Sequence, residues 1–100
     1  IKEKIFEVVR HPLLKNYFEP NALVFNEQEL ISNDKTRQIP DRIVIKNNKT
    51  VIIDYKTGKP KKHHHLQIKK YNNALNEMGY IVLENLLVYI DYKVIVEKVD

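Results

Sequence analysis

The stretch that decides the fold is IPDRIVIKNNKTVIIDYK, residues 39 to 56. Two runs rich in β-branched residues, Ile39 to Ile45 and Val51 to Lys56, predict two strands. The pair Asn47-Asn48 lies between them, and asparagine tolerates the positive φ angles of a tight turn. This part of the chain therefore predicts an antiparallel β-hairpin.

The predicted hairpin brings three charged side chains together. Side chains alternate between the two faces of a strand, so Asp54 and Lys56 project on the same side, roughly 7 Å apart along the strand. A turn centred on Asn47-Asn48 also places Asp41 opposite position 54. Two carboxylates and one ammonium group are thus expected at one end of the hairpin.

These three groups suit the hydrolysis of phosphodiester bonds. Two carboxylates held this close repel each other unless a cation lies between them, and their oxygen atoms suit Mg²⁺ or Mn²⁺. A lysine beside such a cation can stabilise the charge that develops on a phosphoryl oxygen. The alternative is a surface ion pair, which contributes little to the stability of the fold. However, the continuous apolar run Val51-Ile52-Ile53 predicts a central strand buried on both faces.

Two helices are predicted outside the hairpin. Lys2 to Arg10 is periodic, with Ile5, Val8 and Val9 on one face, and His11-Pro12 ends or kinks that helix. Leu66 to Met78 is the clearest helix, and Gly79 is a suitable residue to end it. Its apolar stripe consists of Ile68, Tyr71, Leu75 and Met78.

The remaining apolar segments predict three more strands and complete an α/β fold. The predicted strands, including those of the hairpin, are residues 22–31, 39–45, 51–56, 86–90 and 94–99. The order along the chain is α-β-β-β-α-β-β. We therefore expect a central mixed β-sheet flanked by helices.

Length and composition predict a single domain over residues 1–100. With 43% hydrophobic residues and two glycines, the chain is typical of a folded globular protein. No apolar run approaches the roughly 20 residues that cross a bilayer, so no membrane contact is expected. The absence of cysteine excludes disulfides and thiolate metal sites, and it is compatible with a cytoplasmic location. A Gly-rich phosphate loop is absent, so these residues are not expected to bind ATP.

The positive charge is clustered rather than evenly spread. The net charge is +4, and lysine is dense from Lys56 to Lys70, with His63, His64 and His65 inside this segment. A clustered basic surface attracts polyanions by displacing their counterions. The alternative is an ordinary solvated loop and helix face.

Taken in order, three motifs resemble the PD-(D/E)xK signature of restriction-endonuclease-like nucleases. They are Pro40-Asp41-Arg42-Ile43, Ile53-Asp54-Tyr55-Lys56-Thr57-Gly58, and Gln67-x-x-x-Tyr71. The combination is similar to the RecB-type nuclease domain at the C-terminus of UvrD/Rep-like and AddA-type helicase-nucleases. It implies a restriction-endonuclease-like core and an Mg²⁺- or Mn²⁺-dependent DNA nuclease, exonuclease-like on single-stranded DNA. It also implies attachment to an ATP-dependent helicase that acts in DNA repair and recombination.

The resemblance implies a role for each matching residue. Asp41 and Asp54 would be metal ligands, and the backbone carbonyl of Tyr55 would complete the inner shell. Lys56 would be the catalytic lysine. Gln67 and Tyr71, one helical turn apart, would help to position the substrate strand and the active site.

Two further residues of the family have less certain counterparts in this sequence. A glutamate on the first strand corresponds to Glu27, with Glu29 as the second candidate because both positions have the same parity. For the metal-binding histidine that precedes the first strand, His11 is the upstream candidate here. Its neighbour Pro12 makes it a poor match, so we expect the true counterpart in sequence that precedes residue 1. The chain would then be a C-terminal fragment of a larger helicase-nuclease.

The expected partners are single-stranded DNA and the helicase motor domains of the same parent chain. We expect six residues to contact the DNA: Arg42, Lys59, Lys61, Lys62, His64 and Lys70. An exposed loop without a specific role is the alternative for the three histidines. The alternative function is a catalytically silent nuclease-like module that binds DNA or braces the motor, and a third is an RNA-directed nuclease of the same fold.

Overall fold

The protein has a mixed central β-sheet with an α-helix on each face. A computed structural model describes residues 2–91 and 93–100, and the side chains of residues 6–91 and 93–100. The helices are α1 Lys2–Arg10 and α2 Lys62–Glu77, and a 3₁₀ turn spans Lys15–Phe18. The strands are β1 Leu23–Asn26, β2 Leu30–Ile31, β3 Arg37–Gln38, β4 Arg42–Lys46, β5 Lys49–Lys56, β6 Val82–Ile90 and β7 Val94–Val99. The main sheet has the order β1-β4-β5-β6-β7, and β2 and β3 form a separate ribbon.

The β4–β5 hairpin has the predicted turn and register. Asn47 and Asn48 have φ angles of 54° and 64°, the two positive values that a type I′ turn requires. Arg42 faces Ile53 across the antiparallel pair, so positions 41 and 54 come next and lie opposite each other. Strand β4 begins at Arg42 rather than at residue 39 because Pro40 has no N–H to donate to a neighbouring strand.

Strand β5 is the centre of the main sheet. It is antiparallel to β4 and parallel to β6, which makes the sheet mixed. Val51 is 3% exposed and Ile52 and Ile53 are 0% exposed, so the apolar run is buried on both faces as predicted. The next residue, Asp54, is 2% exposed, and its charge therefore lies at the end of a buried strand.

The sheet buries a separate apolar core on each face. On one face, Ile68 and Leu75 of α2 pack with Ile52 of β5. On the other face, Val8 of α1 packs with Val51 and the residues beside it. Since side chains alternate along a strand, Asp54 and Lys56 share the α2 face with Ile52. Asp41 shares it with Ile43, so all three charged residues face α2.

Helix α2 begins four residues earlier than the sequence predicts. It starts at Lys62 instead of Leu66, so the three histidines lie in its first turns and not in a loop. Contacts with distant strands hold this first turn: His64 Nδ1 lies 3.1 Å from the Tyr89 hydroxyl, and His65 Nε2 lies 2.6 Å from Glu97 Oε1. Periodicity within the helix could not reveal these partners.

The end of α2 matches the expectation for Gly79. This residue has φ of 94°, and its N–H donates to Asn76 O at 3.0 Å. The N–H of Tyr80 donates to Leu75 O at 3.0 Å, which completes a Schellman motif. Met78 was expected in the apolar stripe, but it follows the last helical residue and is 52% exposed.

The segment predicted as one strand over residues 22–31 is divided into two. Strand β1 ends at Asn26, and Glu27 has φ of 50°, a conformation that does not continue a strand. Strand β2, Leu30–Ile31, then pairs with β3 outside the main sheet. The prediction of one strand was wrong because parity along the sequence cannot show a break in the backbone.

Other boundaries agree with the prediction or extend it. Helix α1 has the predicted range, with Val8 buried and Val9 37% exposed, while the side chain of Ile5 lies outside the described residues. Strand β7 also has the predicted range, and β6 begins at Val82 rather than at Leu86. No helix among the described residues combines the length and the apolarity needed to cross a membrane.

Candidate active site

One hydrogen bond joins Asp41 to Asp54 across the hairpin, and a second joins Asp41 to Tyr55. The backbone N–H of Asp41 donates to Asp54 Oδ1 at 3.1 Å. The carboxylate of Asp41 accepts a 2.7 Å hydrogen bond from the backbone N–H of Tyr55 at Oδ2. These bonds fix both side chains against the end of the hairpin, which brings the two predicted ligands together.

Lys56 lies between Asp54 and helix α2. Its Nζ is 2.8 Å from Asp54 Oδ2, and the two side chains are 18% and 3% exposed, respectively. The same ammonium donates a short hydrogen bond to Gln67 Oε1. The pair is therefore buried rather than a surface ion pair, and Gln67 of α2 holds the lysine from above the sheet.

Tyr71 lies near the two carboxylates, one turn after Gln67. It is 4% exposed and belongs to the core on the α2 face. Burial, and then the negative charges of Asp54 and Asp41, raise the pKa of Tyr71 to about 12. The phenol therefore remains protonated at neutral pH. The structure brings together Asp41, Asp54, Lys56, Gln67 and Tyr71, and we call these five residues the acidic cluster.

The carboxyl groups of the acidic cluster suit a divalent cation. Burial raises the pKa of the Asp41 carboxyl, and the close Asp54 carboxylate adds to this rise, against the opposing effects of the Tyr55 N–H and Lys56. A cation between the two carboxylates would remove their repulsion. Mg²⁺ is commonly held in proteins by one or two carboxylates, with water and substrate phosphate as further ligands. Asp41 and Asp54 are the residues that would hold it.

The cluster does not recruit a third acidic or imidazole side chain. Within residues 2–91 and 93–100, no group of three or more His, Cys, Asp or Glu residues is arranged to hold a metal ion. Further ligands would therefore be backbone carbonyls, water or phosphate oxygens.

The structure distinguishes the two candidate glutamates. Glu29 Oε2 lies 2.5 Å from the Arg37 guanidinium, so this side chain is paired on the surface. Glu27 follows β1, and its N–H donates to Asp41 O at 2.9 Å. Its backbone is therefore next to the acidic cluster, although its side chain is exposed. Neither glutamate lies in the first strand as predicted, because β1 ends at Asn26.

His11 is part of a local turn after α1. Its Nδ1 accepts a hydrogen bond from the N–H of Leu13 at 3.2 Å. This contact lies in the segment that joins α1 to the 3₁₀ turn, on the face of the sheet opposite α2. The structure does not bring His11 to the acidic cluster.

Arg42 makes its contacts inside the protein. Its Nη2 donates to Tyr17 O at 3.1 Å, and its guanidinium carbon lies 4.2 Å from the centre of the Phe18 ring. Arg42 has the opposite parity to Asp41, so it projects to the face that α1 and the 3₁₀ turn cover. The guanidinium of Arg42, which was expected to contact DNA, is therefore already bound to Tyr17 and Phe18.

The four lysines expected to contact DNA are exposed. They are Lys59, Lys61, Lys62 and Lys70. Lys61 and Lys62 lie at the start of α2 and line a surface pocket of about 440 Å³ together with His65. Lys70 lines a second, polar pocket of about 320 Å³ between α2 and the β2–β3 ribbon. Both pockets adjoin α2, the helix that also carries Gln67.

One residue of the α2 face was missed by the sequence analysis. Tyr89 is 3% exposed, and its position on β6 pairs with Lys56 on β5. Its hydroxyl contacts His64, one of the six residues expected to contact DNA, which is 7% exposed. The hydroxyl of Tyr89 within the otherwise apolar run of β6 could have indicated a functional residue. Its partner His64, however, is 25 residues away in the sequence.

Comparison with known proteins gives a similarity of fold. No protein-family model matches the chain, and no curated protein matches it in sequence. Among solved structures, the chain is similar to one described as the crystal structure of SSO0001, with a TM-score of 0.58 and 20% identity over 99% of this chain. The chain spans 57% of that protein's length. At this identity the similarity concerns the α/β fold alone.

Proposed function

We propose that this chain is the nuclease domain of a DNA-processing enzyme and hydrolyses phosphodiester bonds with Mg²⁺ or Mn²⁺. The observation that carries the proposal is the buried acidic cluster, in which Lys56 contacts both Asp54 and Gln67. Placing two carboxylates and an ammonium at the end of a buried strand is costly unless the charges are used or fully paired. The sequence resemblance supports the same activity.

Each residue of the acidic cluster has a distinct role in this proposal. Asp41 and Asp54 hold the divalent cation, which when bound supplies Lewis-acid activation of water and of the phosphate. Lys56 stabilises the negative charge that develops on the phosphoryl oxygens. Gln67 orients the Lys56 ammonium, and Tyr71 closes the site from the helix side as a neutral phenol.

The substrate in this proposal is a single DNA strand. Lys59, Lys61, Lys62 and Lys70 are exposed near the helix that covers the acidic cluster, and such lysines bind a nucleic-acid backbone without regard to sequence. From the sequence resemblance we further propose that an ATP-dependent helicase motor of the same parent chain delivers the DNA strand. Cleavage would then proceed in the manner of an exonuclease.

Substitution of Asp54 tests the proposed activity. Single-stranded DNA is incubated with Mn²⁺ and either the wild-type protein, Asp54→Asn or Asp91→Asn. Asp91 is exposed and serves as the matched control for loss of one carboxylate. We expect Asp54→Asn to abolish digestion and Asp91→Asn to retain it. Digestion by Asp54→Asn at the wild-type rate would refute the assignment of the site. Faster digestion of an RNA strand than of a DNA strand would show that the substrate is RNA.

A catalytically silent module that binds DNA or braces the motor is the second candidate. The observation that favours it is the internal pairing of the cluster, because Asp54 already accepts hydrogen bonds at both carboxylate oxygens. Calorimetric titration with Mn²⁺ distinguishes the two functions. The nuclease requires binding that Asp41→Asn weakens, whereas the silent module requires none.

A further inference from the structure

His64 and Tyr89 form a buried polar pair beside the acidic cluster. His64 lies in the first turn of α2, and Tyr89 lies on β6 directly beside Lys56 of β5. The distance from His64 Nδ1 to the Tyr89 hydroxyl oxygen is 3.1 Å, and the ring centroids are 5.7 Å apart. The pair therefore connects the start of the helix to the strand that neighbours the catalytic lysine.

The contact with Tyr89 bears on which nitrogen of His64 carries the proton. Burial, and then the negative charge of Glu97, raise the pKa of the Tyr89 phenol, against the opposing effect of the Lys61 backbone. The phenol therefore stays protonated, and its O–H can donate a hydrogen bond to His64 Nδ1. Burial, and then the charges of His63, Lys56 and Lys61, lower the pKa of His64. A neutral imidazole that accepts the Tyr89 hydrogen bond at Nδ1 carries its proton on Nε2.

Solvent reaches the Nε2 atom of His64. Among the described residues, the buried side-chain atoms without a hydrogen bond are Arg42 Nε and Asn85 Oδ1. His64 Nε2 has no hydrogen-bonding partner in the described part of the chain, yet it is not among these buried atoms. It therefore belongs to the 7% of the residue that solvent reaches. His64 also interacts electrostatically with Lys56 and Asp54 and precedes Gln67 by three residues on the same helix.

We propose that Tyr89 is a positioning residue for His64. Held by Tyr89, His64 donates its Nε2–H to a non-bridging phosphate oxygen of the DNA strand bound at the acidic cluster. The inference rests on the proposed nuclease function and adds a neutral donor to it. A neutral donor suits this position because a second cation near Lys56 would compete with it for Asp54. The phosphate is thereby held from the helix side while Lys56 acts from the strand side.

A double-mutant cycle tests this inference in the wild-type protein, His64→Leu, Tyr89→Phe and the double variant. Loss of one neutral hydrogen bond lowers kcat/KM for single-stranded DNA about tenfold. We expect each single variant to show this loss and the double variant to show no more than His64→Leu, because Tyr89 acts through His64. His64→Gln should recover part of the rate, since its amide N–H replaces the Nε2 donor. Additive losses, or no recovery by His64→Gln, would overturn the inference.

A binding measurement separates this inference from the nuclease activity itself. The ring ¹⁵N resonances of His64 are recorded in EDTA, before and after addition of a single-stranded oligonucleotide. We expect the protonated Nε2 signal to shift on binding in the wild-type protein and in Asp54→Asn, but to a smaller extent in Tyr89→Phe. An unchanged Nε2 signal in a protein that cleaves DNA would refute the role of His64 alone. Absence of Asp54-dependent cleavage would refute both proposals.

Discussion

The backbone N–H of Asp41 donates a hydrogen bond to the side chain of Asp54 at 3.1 Å, so the two acidic residues are joined across the hairpin. They are not equivalent, however. Asp54 is 2% exposed and paired with Lys56, whereas Asp41 is partly exposed and accepts one backbone hydrogen bond. We therefore expect substitution of Asp41 to affect activity alone, and substitution of Asp54 to affect stability as well.

Asp41→Asn should remove activity without removing stability. The asparagine oxygen can still accept from the Tyr55 N–H, and the substitution removes a partly exposed negative charge next to Asp54. We expect the free energy of unfolding in metal-free buffer to be equal to or above the wild-type value. Asp54→Asn should instead lower it by about 1–3 kcal/mol because Lys56 loses its buried partner. Urea denaturation of both variants provides the comparison, and equal losses would contradict the prediction.

Gln67→Leu should lower kcat through Lys56. The substitution keeps the size of the side chain but removes the acceptor that orients the ammonium. We expect about a tenfold decrease in kcat with little change in KM, which corresponds to roughly one hydrogen bond. Asn76→Leu on the exposed side of α2 is the matched control. A decrease of the same size in the control would show that the effect is not specific to Gln67.

Arg42→Met should destabilise the protein while leaving DNA affinity unchanged. The guanidinium holds the 3₁₀ turn through Tyr17 O and stacks on Phe18. Loss of a hydrogen bond from a charged group and of this stacking should lower the free energy of unfolding by about 2–3 kcal/mol. Fluorescence anisotropy with a labelled oligonucleotide, at a temperature where both proteins are folded, measures the affinity. A marked loss of affinity would restore Arg42 to the DNA-binding residues.

Lys61→Gln combined with Lys62→Gln should weaken DNA binding and its dependence on salt. Two phosphate contacts on a single strand account for a decrease of about 1.4 in the slope of log K against log salt concentration. Lys15→Gln combined with Lys49→Gln removes the same charge from exposed positions away from α2. Equal slopes for the two double variants would mean that net charge, rather than the start of α2, determines binding.

Glu84→Gln should reveal a dependence of stability on pH. Tyr17 donates a 2.6 Å hydrogen bond to Glu84 Oε2, and Lys98 Nζ lies 2.9 Å from Oε1. Burial opposes the shift, but these partners outweigh it and lower the pKa of Glu84 from 4.5. The ionised carboxylate thus stabilises the fold above pH 4.5, and this contribution is lost as the pH falls through the lowered pKa.

Thermal unfolding between pH 3 and pH 7 measures this contribution. At pH 7 the wild-type protein should exceed Glu84→Gln by about 1–2 kcal/mol, and the two should converge at the acid end. Tyr17→Phe removes the donor of the same hydrogen bond. At pH 7 its free energy of unfolding should lie closer to the wild-type value than that of Glu84→Gln. A constant gap between wild type and Glu84→Gln over the whole range would contradict the assigned pKa shift.

The sequence by itself determined the hairpin and the position of its charges. Turn preference and strand alternation act over a few neighbouring residues, so Asn47-Asn48 and the apolar run before Asp54 were sufficient to place Asp41 opposite Asp54. The central position of β5 followed from the same run. These are local effects, and local sequence encodes them.

The tertiary structure decided the features that depend on distant partners. It began α2 at Lys62, where His64 contacts Tyr89, and it turned Arg42 towards the 3₁₀ turn. It also ended β1 before Glu27, which has a positive φ angle, and paired Glu29 with Arg37. Contacts between segments far apart in the chain form only after the sheet and the helix have packed together. No periodicity within one segment contains that information, which is why the sequence located the acidic cluster but not the residue pair beside it.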